Sequence, residues 1–380
     1  MRIAITTWCD WENAGTFFQL YGLYSFLKSK GHDVKVVNYK KRSPKDYISR
    51  GLFYFLSQPF SLLQQKLKRK RHSKEMAVLT KPYEKELRKR KTVFQEEFGK
   101  LEFTEPVETE EDFRKLNDEF DAFIVGSDQV WNASMLNRRY FLDYVEKGKI
   151  KASFGHSMGS GTVLPYQRKV FKKYLESFNY IAVREKKLAD ILNNELQQNV
   201  EHVLDPSMLV TKDEYLRLAR LPEQFEENSY ALCYFMPRNE QQKQVVENYA
   251  KQHNLKIVVM AMLLDDYKLK VGEMYVEAGP REFLGLIANA AVVFTSSFHC
   301  TIFSILFNKD LYVFGQKAAT KTADINQRYV EQLATYGINR LIGWGQDISP
   351  EIQKPIDYEK VNAIFEARRN GSIHYLEQFA

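Results

Sequence analysis

Short β-branched runs alternate with helical stretches along this chain, and the alternation is carried through twice. Residues 2–7 read as a strand. Phe17, Leu20, Leu23, Tyr24 and Leu27 then keep helical spacing up to Gly31, and residues 34–38 read as the next strand. A strand–helix–strand crossover is right-handed and builds a parallel sheet. The pattern resumes with strands at 120–126 and 152–154, a helix at about 165–177, a strand at 180–184, a helix at 185–197 and a short strand at 201–204. Asp205-Pro206 reads as a domain exit, because proline disfavours helix in the residue before it. A second series follows: strand 230–235, helix 239–253, strand 256–260, a helix opened by Gly279-Pro280, strand 291–295, a helix, and strand 311–314. The expected fold is therefore α/β, with two Rossmann-like doubly wound domains facing one another across a cleft. Residues 1–208 are expected to form the first domain and 209–357 the second. A final helix at about 358–368, with the tail to Ala380, is expected to pack back on the first. A predominantly helical, charged insertion fills about 44–117.

At 380 residues the chain is too long for one ordinary core. With 44% hydrophobic and 27% charged residues it has the composition of a soluble globular protein. Its three cysteines are widely spaced and odd in number, which fits a reducing compartment and gives neither a disulfide framework nor a zinc site. The N-terminus reads as a strand running into a polar loop and not as a signal peptide. No run of 18 apolar residues is present, so a cytoplasmic location is expected. The net charge of +7 is concentrated: residues 66–91 hold twelve Lys or Arg against three Glu. Such a run is ordinarily a solvated helix face. It follows an aromatic stretch from Tyr47 through Leu56, however, and the pair also fits a helix lying on an anionic leaflet. Peripheral contact with the inner face of the membrane through residues 47–91 is the corresponding expectation. Nucleic acid is not expected, since the aromatics precede the cations instead of interleaving with them.

The strongest chemical signal lies where the strand ending at Thr295 gives way to a helix. Ser296-Ser297 stands where an N-cap belongs, and a helix that starts at the carboxyl end of a parallel strand turns unpaired N–H groups and a positive dipole end toward a crevice. That is an anion site. His299, in the first turn, is placed to hand an anionic substrate a proton; a histidine packed beneath a loop is the ordinary alternative. Asn13-Ala14-Gly15-Thr16-Phe17-Phe18-Gln19 joins the first strand to the first helix, with Gly15 allowing close backbone approach and Asn13 a cap or ligand contact. Gly126-Ser127-Asp128-Gln129-Val130-Trp131-Asn132 leaves another buried strand. Its carboxylate, amides and indole fit a sugar-hydroxyl site, although Asp128 also fits a helix cap. Arg184 ends a strand and is a fork for phosphate or carboxylate, or else a surface partner of Glu185. Lys317 follows the last strand in a polar loop. The Gly155-His156-Ser157-Met158-Gly159 segment lacks the prompt helix of a hydrolase nucleophile elbow.

These pieces, in this order, resemble the polysaccharide pyruvyl transferase family. The resemblance runs over about residues 3–345. It rests on Asn13-Ala14-Gly15 through Leu23, Gly126 to Asn132, Ala182-Val183-Arg184-Glu185, Val203-Leu204-Asp205-Pro206, Ser297-Phe298-His299, and Asn326-Gln327-Arg328 before Arg340. It implies the two-domain arrangement of GT-B glycosyltransferases, with residues 1–208 on the acceptor side and 209–357 on the donor side. It also implies transfer of a carboxyethylidene (pyruvate ketal) group from phosphoenolpyruvate to two hydroxyls of a glycan or lipid-linked glycan precursor. By that likeness His299 is the general acid and Arg184 holds the donor, with Lys317 a looser basic match. Characterised branches place Arg-Leu before the histidine, where this chain has Ser297-Phe298. The donor's countercharge is then expected from Arg184, Lys317 or Arg328, beside Ser296 and Ser297 at the helix start.

The chemistry fits the residue types. Phosphoenolpyruvate is a polyanion whose methylene carbon takes a proton from an acid of near-neutral pKa, which favours histidine. Asp128 would assist the attacking hydroxyl, and Asn13, Gly15, Gln19, Trp131 and Asn132 would hold the acceptor. No metal is expected, since no cluster has ligand spacing, and no cofactor beyond phosphoenolpyruvate as co-substrate. The alternatives left open are a GT-B glycosyltransferase using a nucleotide sugar and a non-catalytic glycan-binding relative. A homodimer is left open as well.

Overall fold

The computed structural model describes the chain except residues 10–11, 41–42, 49–58, 133–135, 160–162, 164, 235–238 and 316–326, and the side chains of 59–69, 165–166 and 327–328. Two parallel sheets organise it. In the first, β1 (Arg2–Thr6), β2 (Asp33–Asn38), β3 (Phe103–Pro106), β4 (Ala122–Val125) and β5 (Ile150–Ser153) stand in the order β3-β2-β1-β4-β5. Bridges from Ala152 to Tyr180 and from His156 to Val183 carry the pattern on to β6 (Ile181–Val183), which pairs with β7 (Val200–His202). In the second sheet, β8 (Tyr230–Tyr234), β9 (Lys256–Met260), β10 (Glu273–Tyr275), β11 (Val292–Thr295), β12 (Asp310–Phe314) and β13 (Leu341–Ile342) stand in the order β10-β9-β8-β11-β12-β13. Each sheet thus reverses its winding once, between β1 and β4 and between β8 and β11. Open α/β sheets bind ligands beyond the carboxyl ends of the strands at such points.

The sequence explains the central strands directly. From Ile3 onward β1 is buried, and β4, β8 and β11 are buried throughout, as strands covered on both faces require. The first helix (Ala14–Ser29) is apolar nearly all round because both halves use it. Leu20 and Leu23 pack with Ile3 and Ile5, while Phe18 meets Phe283 and Phe303 of the second half at ring distances of 6.1 and 5.1 Å. The C-terminal helix (Tyr358–Glu377) starts in the core of the second half through Val361 and Phe365. It ends in that of the first through Tyr375 and Leu376.

Three strands escape the sequence pattern. Part of the segment taken as helical insertion, Phe103–Pro106, is the edge strand β3. Its four residues include a glutamate and end in proline, which an edge tolerates but an alternation search misses. β10 and β13, at the two edges of the second sheet, have three and two residues and are likewise too short to show a period. The last helix runs to Glu377, beyond the 358–368 read from the sequence. No described helix is long and apolar enough to cross a membrane.

Candidate functional site

At the carboxyl end of β11 the strand-to-helix switch takes the expected form. Thr295 Oγ1 donates to Tyr234 O (2.6 Å) and accepts from Ser297 N (2.9 Å), so the chain turns tightly. Ser297 then caps the helix Phe298–Leu306 by accepting from Cys300 N (3.4 Å). His299 is its second residue and is 9% exposed. Its ring does not lie free in a cleft. It meets the start of the first helix, across the gap between the halves, so closely that a Cβ at Gly15 would fall 2.3 Å from Nδ1.

The other edge of the imidazole faces charge. His299 Nε2 lies 3.6 Å from Asp205 Oδ2. Asp205 is fixed by Ser207, whose amide (3.0 Å) and hydroxyl (2.6 Å) both donate to Oδ1, and by Arg184 Nη1 at 2.5 Å. Arg184 Nη2 reaches Asp128 Oδ1 at 3.4 Å, and its guanidinium stacks 4.4 Å from the centre of the Phe298 ring. Asp128, Arg184, Asp205 and His299 therefore form one buried line in which a guanidinium lies between two carboxylates and an imidazole ends the row. Burial alone raises a carboxyl pKa; here the Arg184 charge, and after it His299, outweigh burial and hold Asp205 well below the usual carboxylate range. Burial also works against the Arg184 charge, and Asp205, Asp128 and Glu185 outweigh it in turn. At neutral pH the line holds a fixed carboxylate beside the imidazole, an arrangement that favours one orientation of the ring.

The structure brings together His299, Arg184, Asp128 and Gly15 from the residues singled out in the sequence. Ser297 is the cap, and Ser296 lies buried at the strand end. Asn13 caps the first helix, accepting from Thr16 N at 3.1 Å. Gln19 and Trp131 are completely buried. Gln19 accepts from Ser127 N (2.7 Å) and donates to Thr16 O (2.9 Å), so it fastens the loop after β4. The Trp131 indole donates to Tyr140 O (2.9 Å) and is stacked between Phe141 and His156, leaving no ring face for a sugar. Asn132 donates to Gln129 Oε1 (2.9 Å). Lys317 and the side chain of Arg328 lie outside the described residues. Sequence reasoning missed Asp205. The signal was present, since an aspartate follows β7 at its carboxyl end, but the adjoining proline drew the reading toward a domain exit. His156, read only as part of a discarded motif, is fully buried; burial first and the Arg184 charge second keep its pKa well below the ordinary value, so it is neutral.

Two Rossmann-like sheets meeting at the carboxyl ends of their strands, with a charged line at the junction, define a protein of the GT-B class. Solved structures of that class match in fold. An α-glucosyltransferase in complex with UDP and a 13-mer DNA aligns over 100% of this chain and 95% of its own, with a TM-score of 0.52 and 11% identity. The UDP-GlcNAc 2-epimerase of Methanocaldococcus jannaschii aligns over 97% of this chain and 93% of its own, with a TM-score of 0.51 and 11% identity. No curated protein matches the chain. Within the GT-B class, the chain belongs to the polysaccharide pyruvyl transferase family, whose model matches residues 13–317.

Proposed function

We propose that the protein transfers a carboxyethylidene group from phosphoenolpyruvate to a pair of hydroxyls on a glycan or lipid-linked glycan precursor. His299 is the general acid. Its proton goes to the methylene carbon of the donor, and the adjacent carbon becomes oxocarbenium-like. An acceptor hydroxyl adds there, the C–O bond to phosphate breaks, and the second hydroxyl closes the ketal. Of the two hydroxyl protons released, one balances the proton given to carbon and the other leaves on phosphate. Asp205 is a positioning residue that keeps the imidazole oriented. Arg184 acts through Asp205, since its guanidinium is already shared between two carboxylates. Asp128 takes the proton of the first attacking hydroxyl. Lys317 and Arg328, with the amides at the start of the His299 helix, supply the positive field for the donor.

The observation that carries this reading is the buried Asp205 carboxylate 3.6 Å from the imidazole of a helix-start histidine that faces the other half of the molecule. The test is incubation with phosphoenolpyruvate and lipid-linked or free glycans, followed by phosphate release and a mass gain of one carboxyethylidene on the acceptor. His299→Gln should fold normally and lose at least ~10²-fold in rate. Full turnover in that variant removes His299 from the acid role. Consumption of nucleotide sugars with no response to phosphoenolpyruvate would replace the donor.

A further inference from the structure

A cavity of about 380 Å³ lies behind the charged line, where Arg184 forms part of the wall. Its other walls come from three places: the start of helix Lys186–Leu196 and His202 at the end of β7 in the first half, helix Gln327–Thr335 of the second half, and Arg368 of the C-terminal helix. The titratable groups facing it are Arg184, Lys186, Lys187, Asp190, His202, Glu331 and Arg368. Several of these are already neutralised. Arg184 is paired with Asp205 and Asp128, Lys186 lies 3.5 Å from Asp190, and Glu331 has contacts of its own.

Arg368 and Lys187 are different. Among the described residues neither has a carboxylate within ion-pair distance. Arg368 is half-buried, and its Nε is buried without a hydrogen-bond partner. Its Nη2 instead lies 3.2 and 3.4 Å from the two nitrogens of His202. His202 Nε2 stands 3.1 Å from Arg184 O and must donate to it, so the ring can offer the guanidinium only Nδ1. Burial, and after it the charge of Arg368, push the His202 pKa down to about 4, so the imidazole is neutral and does not compete for an anion. A half-buried guanidinium without a counter-ion is a costly arrangement unless an anion completes it. Gln332 and Thr335 add an amide and a hydroxyl to the same wall.

We propose that this cavity is an anion site for a phosphate-class dianion, either inorganic phosphate or the phosphate of a small phosphomonoester, held by Arg368 and Lys187. His299 is not among the residues that line the site, which does not depend on the transfer reaction proposed above. An anion there ties the first half, the second half and the C-terminal helix together.

Isothermal titration of the full-length protein with inorganic phosphate, and separately with glucose 1-phosphate, tests it at pH 7. Saturable binding is expected, weakened at least ~10-fold by Arg368→Gln and several-fold by Lys187→Gln, as loss of a charge-assisted hydrogen bond requires. His299→Gln should leave this binding unchanged, which separates the cavity from the transfer site. The bound anion should also raise the His202 pKa from about 4, read by NMR titration of its ring with and without phosphate. Tighter binding of glucose 1-phosphate would assign the site to a phosphomonoester, and equal binding to free phosphate. The proposal is overturned if neither probe binds at millimolar concentration, or if Arg368→Gln/Lys187→Gln binds both as the wild type does.

Discussion

Gly15→Ala probes whether the two halves meet at the histidine as the structure has them. The new Cβ would fall 2.3 Å from His299 Nδ1, 2.6 Å from Cγ and 3.0 Å from Cε1, where ordinary contact begins at 3.4 Å. The ring must withdraw by about 1 Å, and little space exists to receive it. Asp205 stands 3.6 Å away at the Nε2 edge, Ser297 fixes the helix start, and Phe298 is pinned beneath Arg184. Overpacking of this kind costs ~1–3 kcal/mol. Alanine in the first helix returns about 1 kcal/mol of lost backbone entropy, so the net loss of stability should lie within about 2 kcal/mol. Turnover is far more sensitive, because a 1 Å misplacement of a catalytic group costs ~10²-fold. The paired measurement is urea denaturation alongside phosphate release from phosphoenolpyruvate, with an acceptor the wild type uses. Gly15→Ala/His299→Ala should recover the lost stability, since deleting the ring removes the collision. Wild-type stability and full turnover in Gly15→Ala would show that the imidazole and Gly15 do not touch in the working protein, and the closed junction would have to be abandoned.

Other consequences concern the charged line and the scaffold. Asp205→Asn leaves Arg184, whose side chain is 1% exposed, with carboxylates only at 3.4 and 3.9 Å; a loss of about 3 kcal/mol is expected by chemical denaturation, and less than 1 kcal/mol would contradict the pairing. Because the folded pKa of Asp205 lies below its unfolded value, that stabilisation is complete above pH ~4 and fades as acid is added toward the folded value; a difference between wild type and Asp205→Asn that persists unchanged at pH 2 would be inconsistent with it. Lys151, buried on β5 with its ammonium donating to Ser177 Oγ, is lowered to about 8 by burial, so the protein should gain up to roughly 3 kcal/mol as pH rises from 8 to 10.5, a slope that Lys151→Met should abolish. In the C-terminal helix a Cβ at Gly371 meets nothing within 4 Å, so Gly371→Ala should stabilise by ~0.5–1 kcal/mol, and a lower melting temperature would mean the helix is strained there.

Much of this architecture is legible in the chain because a strand buried on both faces must be a continuous apolar run, and the residue after it must turn. β1, β4, β8 and β11 are such runs, and the turn residues Ser297, Asn13 and Gly126 stand at their ends. Edge strands obey no such rule, which hides β3, β10 and β13. The charged line is legible only in pieces. Asp128, Arg184, Asp205 and His299 are spread over 171 positions, and each has an ordinary local reading as cap, surface pair, loop residue or core histidine. What joins them is the lateral succession β4-β5-β6-β7 and the meeting of the halves at Gly15, both long-range facts. Trp131 and Gln19 illustrate the converse. Their polar groups suggested ligand contacts, yet the loop after β4 needs those groups to satisfy its own buried amides and carbonyls, and hydrogen bonding within the fold takes priority over a substrate.

The basic insertion gains meaning from the same junction. Arg90 of the helix Glu84–Phe98 is buried; it donates to Ala261 O (3.0 Å) and Val276 O (3.3 Å) beyond β9 and β10, and pairs with Glu12 (3.4 Å) just ahead of the first helix. Glu97 holds Arg281 at 2.9 Å, Lys89 holds Glu277 at 2.8 Å, and Met76, Leu79, Tyr83 and Leu87 pack against Tyr267 and Val276. The insertion is thus a strap across one side of the gap, while the C-terminal helix crosses elsewhere through Phe365 and Leu376. Part of the cationic run is therefore committed to the second half, and only its exposed remainder, with Lys70, Arg71 and Lys74 among it, is free to meet an anionic surface; the aromatic stretch 49–58 lies outside the described residues. On the proposed function, an imidazole on one half that works against a backbone on the other tolerates little relative motion. Two crossing segments supply that restraint, and separating the halves at Gly15 has to break the bonds from Arg90 to the Ala261 and Val276 carbonyls.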